Sequence, residues 1–258
     1  MTDDKVLLKA ANVSMHFGGV KALTDVDMVV KKGEILGVIG PNGAGKSTFF
    51  NVLTGFYPPT QGCIFFMDRE ITGHSVYEIS KMGIMRTFQN IRLFDQMSVL
   101  QNMLVGMHTK LHPKFHQILF DRPEKIPEEV RGHEEAESVL ESFGLLDVAH
   151  MLAGNLPYGK KRRLEIARAF VSKPSLILLD EPSAGMNPNE TIEMMAFIRR
   201  IRDRGPTVVV IEHNMKLIMG ISDRVAVLNF GRKIADGSPA EVQANHEVIE
   251  AYLGKEDE

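Results

Sequence analysis

Gly40-Pro41-Asn42-Gly43-Ala44-Gly45-Lys46-Ser47-Thr48 is the stretch on which the reading of this 258-residue chain turns. It has the form glycine, four residues, glycine, lysine, then a hydroxyl side chain, which is a phosphate-binding pattern. The apolar run Ile35-Leu36-Gly37-Val38-Ile39 before it predicts a buried strand, and Phe49-Phe50-Asn51-Val52-Leu53 after it predicts a helix. Glycines in the loop tolerate positive φ and let backbone N–H groups approach phosphate oxygens with no Cβ in the way. The helix that starts there turns its positive end toward the anion. Lys46 can reach the β- and γ-phosphates, and the Ser47 hydroxyl can ligate Mg²⁺. Strand, glycine loop and helix together predict a nucleotide-binding site.

On the N-terminal side, residues 6–17 and 25–39 read as strands separated by Gly18-Gly19, a β-rich edge. Phe17, just ahead of the glycine pair, taken alone reads as a core aromatic rather than a base-stacking platform. Beyond the loop, Pro58-Pro59-Thr60-Gln61-Gly62 predicts a turn, Ile64-Phe65-Phe66-Met67 a strand and residues 75–82 a helix. Past Gln89 the texture changes. Residues 98–109 and 132–143 carry helical periodicity, with a Pro- and His-containing stretch over 111–127 between them. We read 90–155 as a helical insertion, with 111–127 its most mobile part.

Alternation returns with a helix from Lys160 to Val171, a buried strand over Ser175–Asp180, an amphipathic helix over 188–203 and a second buried strand over Thr207–Ile211. Arg224–Asn229 and Lys233-Ile234-Ala235 flank a turn at Phe230-Gly231-Arg232, and two short helices close the chain. Continuous apolar strands between helices predict an α/β fold with a parallel sheet covered on both faces.

Composition bounds the function. Hydrophobic residues make up 44% and charged residues 24%, as in ordinary globular proteins, and a net charge of −3 gives no reason to expect a nucleic-acid partner. The single Cys63 excludes an internal disulfide. No apolar run approaches membrane-spanning length, and the acidic start Met1-Thr2-Asp3-Asp4 is unlike a signal peptide, so membrane association is expected only through a partner. The 15 methionines suit adaptable core and interface packing.

Four apolar residues ending in Asp180-Glu181 complete the chemistry that the glycine loop begins. A carboxylate at the carboxyl end of a parallel strand lies beside such a loop and can support the Mg²⁺ shell. The adjacent Glu181 can orient an attacking water or take its proton. His213 follows the next buried strand, where it is either a γ-phosphate sensor or a surface residue. Gln89 is either a polar loop residue or a contact at the junction of sheet and insertion. His108, His112 and His116 recur at helical spacing, but Pro113 interrupts that helix and no acid completes a metal set. Lys160-Lys161-Arg162-Arg163 reads as a solvated or dimer-facing helix face rather than a nucleic-acid patch.

With these stretches in view, the chain resembles the ATP-binding subunits of ABC transporters over nearly its whole length. The matching parts come in the family's order: Phe17 (A-loop), Gly40 to Thr48 (Walker A), Arg86-Thr87-Phe88-Gln89 (Q-loop), Leu156-Pro157-Tyr158-Gly159-Lys160 (signature), Leu176 to Glu181 (Walker B), Ser183-Ala184-Gly185-Met186-Asn187 (D-loop) and His213 (H-loop). It is most similar to the ATPase subunits of branched-chain amino acid importers, through Phe17 to Leu23, Leu53 to Tyr57, Arg162 to Arg168 and Met219 to Arg224. The resemblance implies a single ABC ATPase domain, with a mainly parallel core and an antiparallel β subdomain formed by 1–89 and 156–258, and a helical subdomain over 90–155.

It also implies roles. Phe17 stacks on adenine, and Gly40, Pro41, Asn42, Gly43, Ala44, Gly45, Lys46, Ser47 and Thr48 hold the phosphates. Ser47 and Gln89 ligate Mg²⁺ with Asp180 supporting its water shell, Glu181 activates water and His213 contacts the γ-phosphate. Pro157, Tyr158, Gly159 and Lys160 face ATP bound to a second ATPase subunit in a sandwich dimer. Two transmembrane permease subunits and a periplasmic or extracellular substrate-binding protein complete the expected complex at the cytoplasmic face of the membrane. The family's usual signature is Leu-Ser-Gly-Gly-Gln. Here Pro157 has no hydroxyl and Tyr158 replaces a glycine, a form typical of this importer subgroup, so we expect a non-identical partner ATPase and two unequal ATP sites. The competing readings are an exporter ATPase such as a lipopolysaccharide transporter subunit, a soluble ABC ATPase and a nucleotide sensor without turnover. Paired cassettes or long coiled-coil insertions, which mark the soluble class, are missing, and Glu181 with His213 argues against a pure sensor.

Overall fold

The structure, a computed structural model, describes residues 5–107 and 126–253. Residues 108–125, with His108, His112, His116 and most of the 111–127 stretch, lie outside the described residues. The chain forms two compact units, Met1–Arg86 with Ser175–Glu258, and Thr87–Pro174. The expected insertion 90–155 falls inside the second unit, which also includes the signature and its helix.

In the first unit, β1 (Val6–Phe17) turns through Gly18-Gly19 into β2 (Val20–Lys31), followed by β3 (Ile35–Ile39). The strand expected over 25–39 is therefore two strands. Gly33 takes φ +80° and the Glu34 carboxylate accepts from the Lys31 amide at 2.6 Å, making a turn where one continuous strand was predicted. β2 also starts at Val20, because the Phe17–Val20 pair closes directly over the two glycines. After α1 (Lys46–Leu53) come β4 (Gln61–Phe66), β5 (Arg69–Glu70), α2 (Val76–Lys81) and β6 (Ile84–Arg86). The second unit supplies α3 (Val99–Gly106), α4 (Ile126–Ser142) and α5 (Tyr158–Phe170). The first unit resumes with β7 (Leu176–Asp180), α6 (Pro188–Asp203), β8 (Thr207–Ile211), α7 (Met215–Ile221), β9 (Arg224–Asn229), β10 (Arg232–Gly237), α8 (Pro239–Gln243) and α9 (His246–Leu253). The short α7 was not expected; Asn214 caps it by accepting from the Leu217 amide at 3.2 Å.

Strand pairing yields the α/β fold expected for an ABC-type P-loop ATPase. A six-stranded sheet runs β10-β9-β3-β8-β7-β6, parallel except for the β9–β10 hairpin at one edge. A four-stranded antiparallel sheet runs β2-β1-β4-β5. Phe49 and Phe50 of α1 are fully buried in one apolar cluster that takes Val26 and Met28 from the antiparallel sheet, and Val38, Leu178 and Val209 from the parallel one. β3, β7 and β8 are buried at every position, which explains their near-continuous apolar sequences, interrupted only at Asp180 and Thr207. α6 begins at a capping box between Asn187 and Glu190 with Pro188 at its first position. It buries Met194, Phe197, Ile198 and Ile201, the helical spacing of its sequence.

In the second unit α3 and α5 approach closely, since a Cβ on Gly106 would stand 2.5 Å from the Arg168 carbonyl oxygen. Asn102 of α3 is fully buried and pins the preceding loop: its amide nitrogen donates to the carbonyls of Phe94 and Ser98, and its oxygen accepts from the Phe94 amide at 3.0 Å.

Candidate functional site

The glycine loop joins β3 to α1 in a backbone form that few residues could follow. Gly40, Gly43 and Gly45 have φ of +152°, +79° and +99°. A Cβ on Gly40 would lie 2.0 Å from the Leu228 carbonyl oxygen, and one on Gly45 would lie 2.7 Å from that of Ala22. The β9–β10 turn braces the loop from below, with the Gly231 amide donating to the Ala44 carbonyl at 3.0 Å. A cleft of about 500 Å³ opens over the loop. It is lined by Asn42, Gly43, Ala44, Gly45, Lys46, Ser47 and Thr48, together with Glu181, His213 and the hairpin residues Val20, Lys21 and Ala22.

Lys46 is buried, and its ammonium donates to the carbonyls of Gly40 at 2.6 Å and Pro41 at 2.8 Å. Burial pushes its pKa below the usual lysine value, while the nearby carboxylates of Glu181 and Asp180 pull it back up. Ser47 is exposed beside it. β7 and β8 are adjacent and in register at Asp180 and Ile211, so the residues that follow them emerge side by side. Glu181 Oε1 and His213 Nε2 meet at 2.7 Å. Glu181 holds φ +46°, a left-handed conformation that is uncommon for a residue with a side chain and clusters at functional sites.

Asp180 behaves differently from its neighbour. Its carboxylate is buried and bound to Arg86 at 2.8 Å, and Arg86 also donates to Asn51 at 2.7 Å and Thr54 at 3.3 Å. One Asp180 oxygen is therefore committed to a cation already in the protein, which suits support of a water shell better than direct metal ligation.

Phe17, at the end of β1, is about half exposed and meets Tyr57 edge-on at 5.3 Å between ring centres; it is not among the residues lining the cleft. Gln89 and residues 157–160 belong to the second unit. There Pro157 caps α5 without a side-chain bond, Tyr158 is exposed, and Lys160 pairs with Asp147 at 2.8 Å. The segment after Gln89 lies along one face of α5. Arg162, fully buried, donates to the carbonyls of Phe88 and Gln89, each at 2.6 Å, and Glu165 accepts from the Arg92 amide at 3.2 Å. Burial raises the Glu165 pKa, with Arg162 opposing it.

Sequence reasoning missed two residues. Arg86 reads only as the start of a motif, and nothing local announces its bond to Asp180. Glu212, buried between β8 and His213, belongs to no motif of its own. The available signal is an acid directly after a five-residue buried strand, as Glu181 directly follows β7.

The family model described as ABC transporter matches residues 23–184, and a second, described as branched-chain amino acid ATP-binding cassette transporter, matches residues 232–258. The chain is 44% identical over 250 residues to the high-affinity branched-chain amino acid transport ATP-binding protein BraF of Pseudomonas aeruginosa, covering 96% of this chain and 98% of the relative. Identity to LivG of Escherichia coli is likewise 44% with the same coverage, and to the probable LivG of Archaeoglobus fulgidus 36%, over 97% of this chain and 96% of that one. Among solved structures, a nucleotide-free ATP-binding cassette from an ABC transporter superposes with a TM-score of 0.84 at 32% identity, over 97% of this chain and all of the other.

Proposed function

The chain belongs to the ABC transporter family of ATP-binding proteins, and from that membership we infer that it binds and hydrolyses ATP to energise the uptake of branched-chain amino acids. The observation that carries the hydrolytic reading is the 2.7 Å contact between Glu181 and His213 in the cleft that the glycine loop lines. The relatives reported above favour this reading over an exporter ATPase.

The mechanism follows from these groups. The triphosphate lies along the amides of Gly43 to Thr48, and Lys46 exchanges its two carbonyl partners for β- and γ-phosphate oxygens. Glu181 takes the proton of the attacking water as general base, and His213 turns its Nε2 to the γ-phosphate. While the two side chains hold each other, neither is free to act, so engagement of the γ-phosphate must part them. Phe17 stacks on adenine. Mg²⁺ suits the donors present. Among the described residues no cluster of three or more His, Cys, Asp or Glu forms a metal cage, and Mg²⁺ commonly binds through one or two protein oxygens plus phosphates and water. In the first unit Ser47 would ligate it and Asp180 would hold its water. When bound, the ion neutralises charge on the phosphate oxygens.

As a transporter subunit, the chain needs partners. Among the described residues no helix is long and apolar enough to cross a membrane. We infer that it is held at the cytoplasmic membrane face by two permease subunits, works with a substrate-binding protein and pairs with a non-identical ATPase. The signature residues 157–160 would then face that partner's ATP, and its missing hydroxyl would make the two sites unequal. In the second unit, Phe94, Met97, Met151 and Leu152 form an exposed apolar patch on two segments joined by backbone hydrogen bonds, a surface suited to a permease helix. The test is reconstitution with the membrane subunits in vesicles. ATP hydrolysis should rise when a binding protein loaded with leucine, isoleucine or valine is added. A rate indifferent to that protein, or stimulated by another class of solute, overturns the reading.

A further inference from the structure

Glu212 is 4% exposed and stands between the end of β8 and His213. Its Oε1 accepts from the Ser183 amide at 2.7 Å and the Ser183 hydroxyl at 2.5 Å. Its Oε2 accepts from the amides of His213 at 3.0 Å and Asn214 at 3.2 Å. All four partners donate, so both oxygens serve only as acceptors. One carboxylate thus spans the two turns that follow β7 and β8, and these turns carry Glu181 and His213. We propose that Glu212 is a positioning residue for hydrolysis, holding the Glu181–His213 pair in register across the two strand ends. The proposal rests on the reading of the cleft as a hydrolytic site.

Three observations carry it. Glu181 sits in a left-handed conformation, which persists only where the surroundings over-determine it. Its own amide is fixed to the Ile211 carbonyl at 2.9 Å, and two residues later Ser183 is fixed by Glu212. The opposite turn is fixed by the other oxygen of the same carboxylate through the amide of His213 itself. The competing view is that Glu212 only satisfies loop amides, with no bearing on the chemistry. The two differ in what a near-isosteric change does.

Glu212→Gln keeps the shape but turns one oxygen into an NH₂ group, which must face donors at either Ser183 or the His213–Asn214 pair. One turn is then released. In the full chain assembled with its transporter subunits, kcat should fall roughly 10- to 100-fold while KM for ATP stays within about threefold, the pattern of an interaction needed after the ground state. In a His213→Ala background the same change should cost less than about threefold, because the two act through one unit. A kcat within twofold of the parent, a KM that rises in step with the lost rate, or fully multiplicative effects would overturn the proposal. If Glu212→Gln loses its cooperative melting transition, Ser183→Ala decides, since it deletes only the hydroxyl donor. It should lower kcat about threefold at constant KM, and an unchanged kcat counts against Glu212. His213→Ala also separates the two readings. Should it leave hydrolysis intact, the hydrolytic reading fails together with the proposal; should it stop hydrolysis while Glu212→Gln does not, only the proposal fails.

Discussion

Gly40 illustrates how narrowly single residues are constrained here. Even alanine would push a methyl group to 2.0 Å from the Leu228 carbonyl oxygen, far inside contact distance, so the loop or β9 must shift. Gly40→Ala should lower stability by on the order of 3 kcal/mol, read from urea unfolding of the isolated chain. Lys46 and Glu181 make a contrasting pair. Lys46→Ala removes the cation that meets the phosphates and should abolish nucleotide binding measured by a fluorescent ATP analogue. Glu181→Gln should keep that binding and stop steady-state turnover; substantial hydrolysis by this variant would remove Glu181 from the general-base role. Arg86 is a structural member of the same neighbourhood. Arg86→Met leaves the Asp180 carboxylate buried without its cation and should cost about 3–5 kcal/mol, visible as a large fall in melting temperature.

Among the elements, α5 does more than carry the signature. Arg162, Glu165 and Arg168 recur every three residues on one face, and each bonds the backbone of the irregular segment 88–92, Arg168 through the Arg92 carbonyl. Helix and segment are thereby held as one piece. Arg162→Met should raise hydrogen exchange across residues 88–92 while leaving that of β7 and β8 unchanged; uniform change would show global loosening instead. The stability of the variant should also depend more steeply on pH. Burial already holds the Glu165 pKa above its ordinary value, so the folded state favours the protonated acid, and stability falls as pH rises through that titration. Without Arg162 the largest interaction opposing the shift is gone, and the fall should steepen.

For the molecule as a whole, the chain has the ATP cleft in one unit and an exposed apolar patch in the other. Replacing Met97 and Met151 by serine should weaken co-purification with the permease subunits several-fold without altering ATP affinity, because neither residue lines the cleft. Equal loss of ATP binding would mean that the second unit had unfolded.

Much of this was legible in the sequence because it depends on short spacings. The glycine loop, the buried strands 176–180 and 207–211 and the helix 188–203 each follow from local pattern and turn chemistry. The acids after β7 could be read as chemistry once the loop was recognised, since parallel strands end on the same side of a sheet. What local pattern could not supply was pairing between distant residues. Arg86 meets Asp180 across 94 positions, Glu212 meets Ser183 across 29 and Arg162 meets Gln89 across 73. Such contacts depend on which strands become neighbours and which helix covers a loop, and the energy that selects them is burial summed over the whole core. By itself, then, the sequence determined that a phosphate cradle, a pair of acids and a histidine exist. Tertiary structure alone decided that Asp180 is tied to an arginine while Glu181 faces His213, because only the order of strands in the sheet brings their ends together.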